Sequence, residues 1–244
     1  MKIFTTLNPN NNQNQIDAIN SWSNYQVYSI NTKEEIKTLK KIYPQIQFIP
    51  TTKVTNIKGK KLVKLNSILD EIEKIDSPSI IINSDIIIKD GFELKIENKL
   101  LKNSIILGCR YEIDRSKIYK FPFGYDFVII NPKHANLLKN EKYTIGLPWW
   151  DYWVPVAAMK NGLNVYEIKD EFLYHKTHQT NYQMEIWENL AKEFYNEVIV
   201  EMTNSGEDLT INDFLSYGKE KMDIKRFIES KSINISLCQQ IEDK

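Results

Sequence analysis

The chain has 244 residues, with 32 basic and 32 acidic side chains and no net charge. That length accommodates one large domain with a sizeable core. The balance of charge excludes a global pull toward nucleic acid or an anionic membrane, and no clear nucleic-acid patch stands out. Two cysteines, Cys109 and Cys238, lie far apart without a CxxC pair. They exclude a disulfide framework or a zinc signature and point to a reducing, cytoplasmic setting. The opening "MKIFTTLNPNNNQNQ" has no long apolar stretch, so neither a signal peptide nor a transmembrane segment is expected.

In chain order, "KIFTTL" (2–7) reads as a strand, and "NQIDAINSWS" (14–23) as a helix carrying Ile16, Ile19 and Trp22 at helical spacing. "QVYSI" (26–30), the helix "TKEEIKTLKKIY" (32–43) and "IQFIP" (46–50) continue the alternation. "KLVKLNSILDEIEKI" (61–75) is a strong amphipathic helix stopped by Ser77-Pro78. "SIIINSDIIIKDG" (79–91) then reads as one strand buried on both faces, with Asp85 in its middle. A desolvated carboxylate there needs a partner or a cation. Further strands are expected at 104–113, 125–131 and 164–168, with a short helix at 132–140. The helix within 149–162 is expected to start near Asp151 or Tyr152, because Pro155 suits only a first turn. Residues 171–182 read as loop or edge, 183–202 as a long amphipathic helix, "NSGED" as a turn, and two shorter helices should follow it.

Strand-helix alternation of this regularity predicts an α/β fold with a mostly parallel sheet flanked by helices. The expected division is an α/β domain over residues 1–182, and a C-terminal helical extension over 183–244 packed on it. Sheets of this kind bind ligands outside the carboxyl ends of their strands, which is where Asp85 falls.

GxGxxG, GxxxxGK[ST] and GxSxG are absent, which removes the main support for dinucleotide, P-loop and serine-hydrolase chemistry. "NSD" (83–85) ends a buried strand with a carboxylate able to hold a hard divalent cation, and Asn83 could reach a ribose hydroxyl. A turn cap or a lysine partner would also explain Asp85. In "YHKTH", His175 and His178 lie three apart. They could ligate a metal or grip a diphosphate, and they equally suit a polar loop. "LPWWDYWVP" surrounds Asp151 with Trp149, Trp150 and Trp153. Aromatic faces beside a carboxylate suit a sugar, and apolar surroundings raise a carboxyl pKa toward general-base use. Asp151 is also a natural helix N-cap and the indoles natural core, and the two readings are compatible. Lys64, near a helix start, could reach a diphosphate.

With those stretches in place, the chain resembles the GT-A glycosyltransferases, the nucleotide-diphospho-sugar transferases. The likeness rests on "NSDI" (83–86), "GYDF" (124–127), "WDYWV" (150–154) and "HKTH" (175–178), in that order, across about residues 2 to 182. It implies a sugar transfer from a nucleotide-diphosphate sugar, a UDP-sugar first, to an acceptor hydroxyl on a glycan, a lipid-linked or another carrier. Asp85 would bind Mn²⁺ or Mg²⁺ with the donor diphosphate, completed by His178 or His175, beside Asn83 and Ser84. Asp151 would be the base of an inverting reaction. Thr5, Thr6 and Leu7 would seat the nucleotide base, and Asp126 would touch an acceptor hydroxyl. The triplet carries one carboxylate where the family usually has two. A non-catalytic binder of nucleotide or glycan is one rival. The other is a sugar nucleotidyltransferase, whose usual glycine-rich basic loop is missing from "TTLNPNNNQNQ".

Overall fold

The computed structural model describes residues 1–10, 12–90, 96, 100–178, 184–203 and 223–236. The first half runs β1 (Lys2–Thr5), α1 (Gln13–Ser21), β2 (Gln26–Asn31), α2 (Lys33–Ile42) and β3 (Gln47–Pro50). It continues with β4 (Val54–Ile57), β5 (Lys60–Val63), α3 (Leu65–Ile72), β6 (Ser79–Ile82) and β7 (Ile86–Ile88). The second half runs β8 (Ser104–Gly108), β9 (Tyr111–Asp114), β10 (Lys117–Lys120), β11 (Phe127–Ile130), a 3₁₀ segment (Pro132–Leu138) and α4 (Trp150–Lys160). Then come β12 (Asn164–Ile168), β13 (Leu173–Lys176), α5 (Met184–Thr203), α6 (Asp223–Lys231) and β14 (Ile233–Ile235).

The main sheet has the order β14-β12-β8-β11-β6-β1-β2-β3. Its described pairings are parallel except those of β11, which runs antiparallel between β6 and β8. The expected mostly parallel α/β sheet flanked by helices is therefore present. Its strands read as unbroken apolar runs because both faces are covered. Period-2 alternation sends Phe4, Ile81, Leu107 and Val128 into one cluster with Leu69 and Ile72 of α3 and Val154 of α4. It sends Ile3, Ile80, Ile82, Ile106 and Ile129 into the other, against Ala18, Ile19 and Trp22 of α1.

Local chemistry sets the helix starts. Asn12 caps α1 by accepting from Gln15 N, and Thr32 with Glu35 forms a capping box on α2. The helix expected over 61–75 begins later, at Leu65. Residues 60–63 instead pair with Val54–Ile57 across a two-residue turn, in which Lys58 and Gly59 both have positive φ (47° and 81°). Arg115 likewise takes a positive φ of 54° at the β9–β10 turn, a second hairpin that the sequence reading missed. The helix α4 starts at Trp150, after Trp149 in a left-handed conformation (φ 80°). Pro155 thus lies beyond the first turn, and the Asp151 carbonyl receives no amide hydrogen from it.

One correction bears on function. The run 79–91 is not one continuous strand. It breaks at Asn83-Ser84-Asp85, where Ile86 N donates to Asn83 O (3.3 Å). β6 stays in the main sheet, while β7 enters a second sheet of order β10-β9-β13-β7. Asp85 therefore occupies a turn between two sheets, 31% exposed, and not a strand interior.

The C-terminal part is more than a helical appendage. Trp187, Ala191, Phe194 and Tyr195 of α5 and Ile224 and Ile228 of α6 join the α3–α4 side of the core. β14 adds a strand parallel to β12. The "NSGED" turn and the residues up to 222 lie outside the described residues.

His134, in the 3₁₀ segment, is 5% exposed and its Nε2 has no hydrogen-bond partner among the described residues. Burial, then the charge of Lys133, depresses its pKa below the ordinary 6.5. A depressed histidine leaves the folded state at full strength above pH 6.5 and weakens it as pH falls through the folded value. The expected outcome is that His134→Leu flattens the loss of stability below pH 6.5 by up to about 1.4 kcal/mol per pH unit. Urea unfolding at pH 5 and pH 7 checks it.

Candidate functional site

The reversed direction of β11 assembles the site. Phe127, its first residue, sits opposite both Ile82, the last of β6, and Gly108, the last of β8. The residues after Ile82, the residues after Gly108 and the residues before Phe127 therefore meet at one edge. They are Asn83-Ser84-Asp85, Cys109-Arg110 and Gly124-Tyr125-Asp126. The second sheet adds β13 to this edge, pairing His175 with Ile86 of β7 on one side and with Glu112 of β9 on the other.

The side chains form a connected chain of charges. His175 Nε2 lies 3.3 Å from Asp85 Oδ2, and His178 Nε2 lies 3.5 Å from the same oxygen. The other ring nitrogen of His175, Nδ1, is 2.8 Å from Glu112 Oε2. Arg110 donates to Glu112 Oε1 (2.7 Å) and to Asp126 Oδ2 (2.6 Å), and its guanidinium lies 3.9 Å from the centre of the Phe121 ring. Asn83 Nδ2 donates to Asp126 Oδ1 (2.7 Å). Asp151 Oδ2 accepts from Tyr125 N (3.2 Å).

These neighbours set the charge states. Burial alone would raise the Asp85 carboxyl, but hydrogen bonds from His175 and His178 and the charge of His175 hold it far below the ordinary carboxylate range. Burial would lower His175, yet Asp85 and Glu112 outweigh it and lift the imidazole to about 9. Burial works against ionised Glu112 too, and His175 and Arg110 overcome it. Asp151 goes the other way. Burial and the like charge of Asp126 push it up to about 7, against the Tyr125 amide, its own amide and Arg110. One rim thus holds a carboxylate locked in its charged form and another that changes charge near neutrality.

Asp85, His175 and His178 offer ligand atoms that all lie within 4.8 Å of one another. Asn83 is tied to Asp126, and Ser84 beside it is half-buried. Both oxygens of Asp126 are occupied by Arg110 and Asn83, and its side chain is 6% exposed. That geometry makes Asp126 an internal pin instead of an open contact for an acceptor hydroxyl. Thr5 is fully buried, its hydroxyl donating to Ile82 O (2.7 Å), and the Leu7 side chain is core. Thr6 alone of that trio is partly open. Lys64 precedes α3, and its ammonium is held by Glu141 O (2.9 Å) and Oε2 (3.1 Å).

The tryptophans need correction as a sugar platform. Trp149 and Trp150 are each 2% exposed. Trp149 donates Nε1–H to Trp187 O (3.2 Å) and stacks on Phe194 at 5.0 Å. Its face is covered by α5, whose apolar stripe reaches α4 only in the folded chain. The sequence marks Glu112 and Arg110 only as residues of the strand expected at 104–113. Their spacing of two, which puts both on one face of an extended segment, was the available signal.

A group whose folded pKa is raised contributes stability below its unfolded value, and that stability is lost as pH rises through the folded one. For Asp151 the window runs from the ordinary 3.8 up to about 7. Asp151→Asn is therefore expected to melt higher than the parent protein at pH 8 and to lose that advantage at pH 4. Thermal unfolding at the two pH values reads it.

Comparison with known proteins finds no matching family model and no matching curated relative. Among solved structures, the chain is similar to S. aureus TarS 1–349 in complex with UDP-GlcNAc. The identity is 12%, covering 87% of this chain and 69% of that one, with a TM-score of 0.46. A second structure of TarS 1–349 gives 11% identity, 87% and 68% coverage, and a TM-score of 0.49. A mannose-1-phosphate geranyltransferase from Thermus thermophilus gives 6%, 72% and 73%, and 0.37. At such identities no residue role transfers to this chain.

Proposed function

We propose that this chain is a GT-A-type glycosyltransferase, moving a sugar from a UDP-sugar to an acceptor hydroxyl with inversion. The observation that carries the reading is the Asp85–His175–His178 cluster at the exit of a buried strand. It shares its rim, through Glu112, Arg110 and Asp126, with a carboxylate poised near neutrality.

The residues fit a divalent cation. Two imidazole nitrogens and a carboxylate oxygen converge, and the second nitrogen of His175 faces Glu112. A carboxylate holding the far nitrogen of a ligating histidine fixes its tautomer and orientation. A mixed nitrogen and oxygen set suits Mn²⁺ better than Mg²⁺, which prefers oxygen alone. The single carboxylate of "NSD" is thus supplemented by imidazoles from β13 and the residues after it. A bound cation would supply charge neutralisation for the departing diphosphate.

The chain's own residues account for the rest. Asp85 stays ionised across the physiological range and keeps its charge toward the donor side. Asp151, held by the Tyr125 amide, accepts the proton of the attacking hydroxyl; its pKa near 7 matches that task. Arg110 neutralises Asp126 and Glu112, so Asp151 faces a reduced field of like charge.

Three outcomes test this. Asp85→Ala is expected to abolish Mn²⁺ binding and UDP release from a panel of UDP-sugars while the thermal transition persists; full activity in that variant removes the cation role. Asp151→Asn is expected to lower turnover by about 10²–10⁴-fold with little change in donor affinity. His175, lifted to about 9, would have to give up a ring proton to ligate a cation, so Mn²⁺ affinity is expected to rise about tenfold per pH unit between pH 6 and 8, read by calorimetry. Donor-dependent stabilisation without UDP release would favour a binding protein of the same fold.

A further inference from the structure

We propose that Lys225, on the C-terminal helix α6, is a positioning residue for Asp151, acting through the one peptide group that joins Gly124 to Tyr125. The inference rests on Asp151 being the base.

Lys225 is 4% exposed, a rare setting for a lysine. Its ammonium donates to Gly124 O (3.3 Å) and contacts Cys109 Sγ (3.0 Å), and it lies 4.7 Å from the centre of the Tyr125 ring. The carbonyl of Gly124 and the amide N–H of Tyr125 belong to the same peptide unit. That unit is trans, so its oxygen and its hydrogen point in opposite directions. One side meets the Lys225 ammonium. The other donates to Asp151 Oδ2 at 3.2 Å.

A cation on a peptide oxygen polarises the whole unit and makes its N–H a stronger donor, because hydrogen bonds in series reinforce one another. The ionised form of Asp151 gains from that donor, and the neutral form gains less. Lys225 thus favours the proton-accepting state of Asp151 from behind, without standing in the cleft.

The loop has little freedom to absorb a change. Gly124 N donates to the Tyr152 hydroxyl (2.7 Å), and Gly124 itself takes a φ of 69°. A Cβ on Gly124 would lie 2.4 Å from Asp151 Oδ2. Movement of this peptide therefore moves the carboxylate.

Other charged groups around the pair are accounted for. Asp126 repels the ionised Asp151 and Arg110 attracts it; Tyr152 is a neutral phenol, pushed well above its ordinary value by burial. On the far side, burial raises the Cys109 thiol. Glu167, bonded to Lys169 (2.8 Å) and Lys120 (3.4 Å), attracts the ammonium, the Tyr125 ring lies against it, and the charge of Glu229, also on α6, acts on that same ring. A lysine serving only to anchor α6 would influence stability and nothing else. The route through the Gly124–Tyr125 peptide predicts a specific change at Asp151.

The experiment follows Asp151 directly by ¹³C-carboxyl NMR titration, alongside UDP release from UDP-glucose, UDP-galactose and UDP-GlcNAc with Mn²⁺. Lys225→Met and Lys225→Gln remove the charge, Gln keeping a donor for Gly124 O so that a folded variant is in hand. In both, the Asp151 titration is expected to move up by about 0.5–1 pH unit. The acid limb of the UDP-release profile should move with it, and neutral-pH kcat should fall at least about threefold with donor KM unchanged. Lys225→Arg should keep the titration in place, as should Cys109→Ser, which leaves the ammonium on Gly124. A folded Lys225→Gln with the parental titration and pH profile, beside an inactive Asp151→Asn, overturns the role of Lys225 alone. Parental turnover in Asp151→Asn would instead remove the base, and this inference with it.

Discussion

A single reversed strand governs where this protein's polar chemistry sits. In an all-parallel sheet the carboxyl ends of the strands carry loops that lead into helices on the faces. Here β11 runs the other way between β6 and β8, so its entry, not its exit, lies at that edge. Gly124, Tyr125 and Asp126 are thereby delivered beside Asn83 and Arg110. The cross-links Asn83–Asp126 and Arg110–Asp126 tie together segments far apart in sequence. Without the reversal, Asp126 would leave the sheet at the opposite end and Arg110 would lose that counter-charge.

Charge balance is the second constraint. Asp85, Glu112, Asp126 and Asp151 crowd one rim, and Arg110 with the two imidazoles faces them. Arg110 satisfies two carboxylates at once with separate nitrogens, a use of the planar guanidinium that a lysine could not reproduce. Glu112 is shared between Arg110 and His175. The result separates two carboxyls by environment: Asp85 is driven to permanent ionisation by neighbouring imidazoles, and Asp151 is drawn toward neutrality by burial and a like charge. Two acids set to different tasks by their surroundings is a recurring arrangement in proton-transfer sites.

The C-terminal part closes the back of this arrangement. Its helices give Trp149 a partner in α5 and place Lys225 behind Gly124, and β14 extends the sheet beside β12. The side of α4 that faces away from the rim is therefore dry. That dryness explains why the indoles of "LPWWDYWVP", apparent sugar platforms, are core. Among the described residues no helix is long and apolar enough to cross a membrane.

Read by itself, the sequence determined many of the local elements, the β4–β5 and β9–β10 hairpins excepted. The unbroken apolar runs of "SIII" and "FVII", the capping box at Thr32 and the stripe of α3 follow from backbone geometry and nearest neighbours, and so could be read along the chain. It also marked Asp85, His175, His178 and Asp151 as residues that could carry chemistry, the two histidines equally suiting a polar loop. Tertiary structure alone decided what each of them faces. The break of the isoleucine run at Asn83, the pinning of Asp126 and the contact of Lys225 with Gly124 depend on partners 16 to 101 positions away. Apolar burial along a strand or a helix stripe follows largely from the residues themselves. A hydrogen bond or an ion pair is a property of two groups, and their meeting is set by the order and direction of strands, which no local pattern encodes.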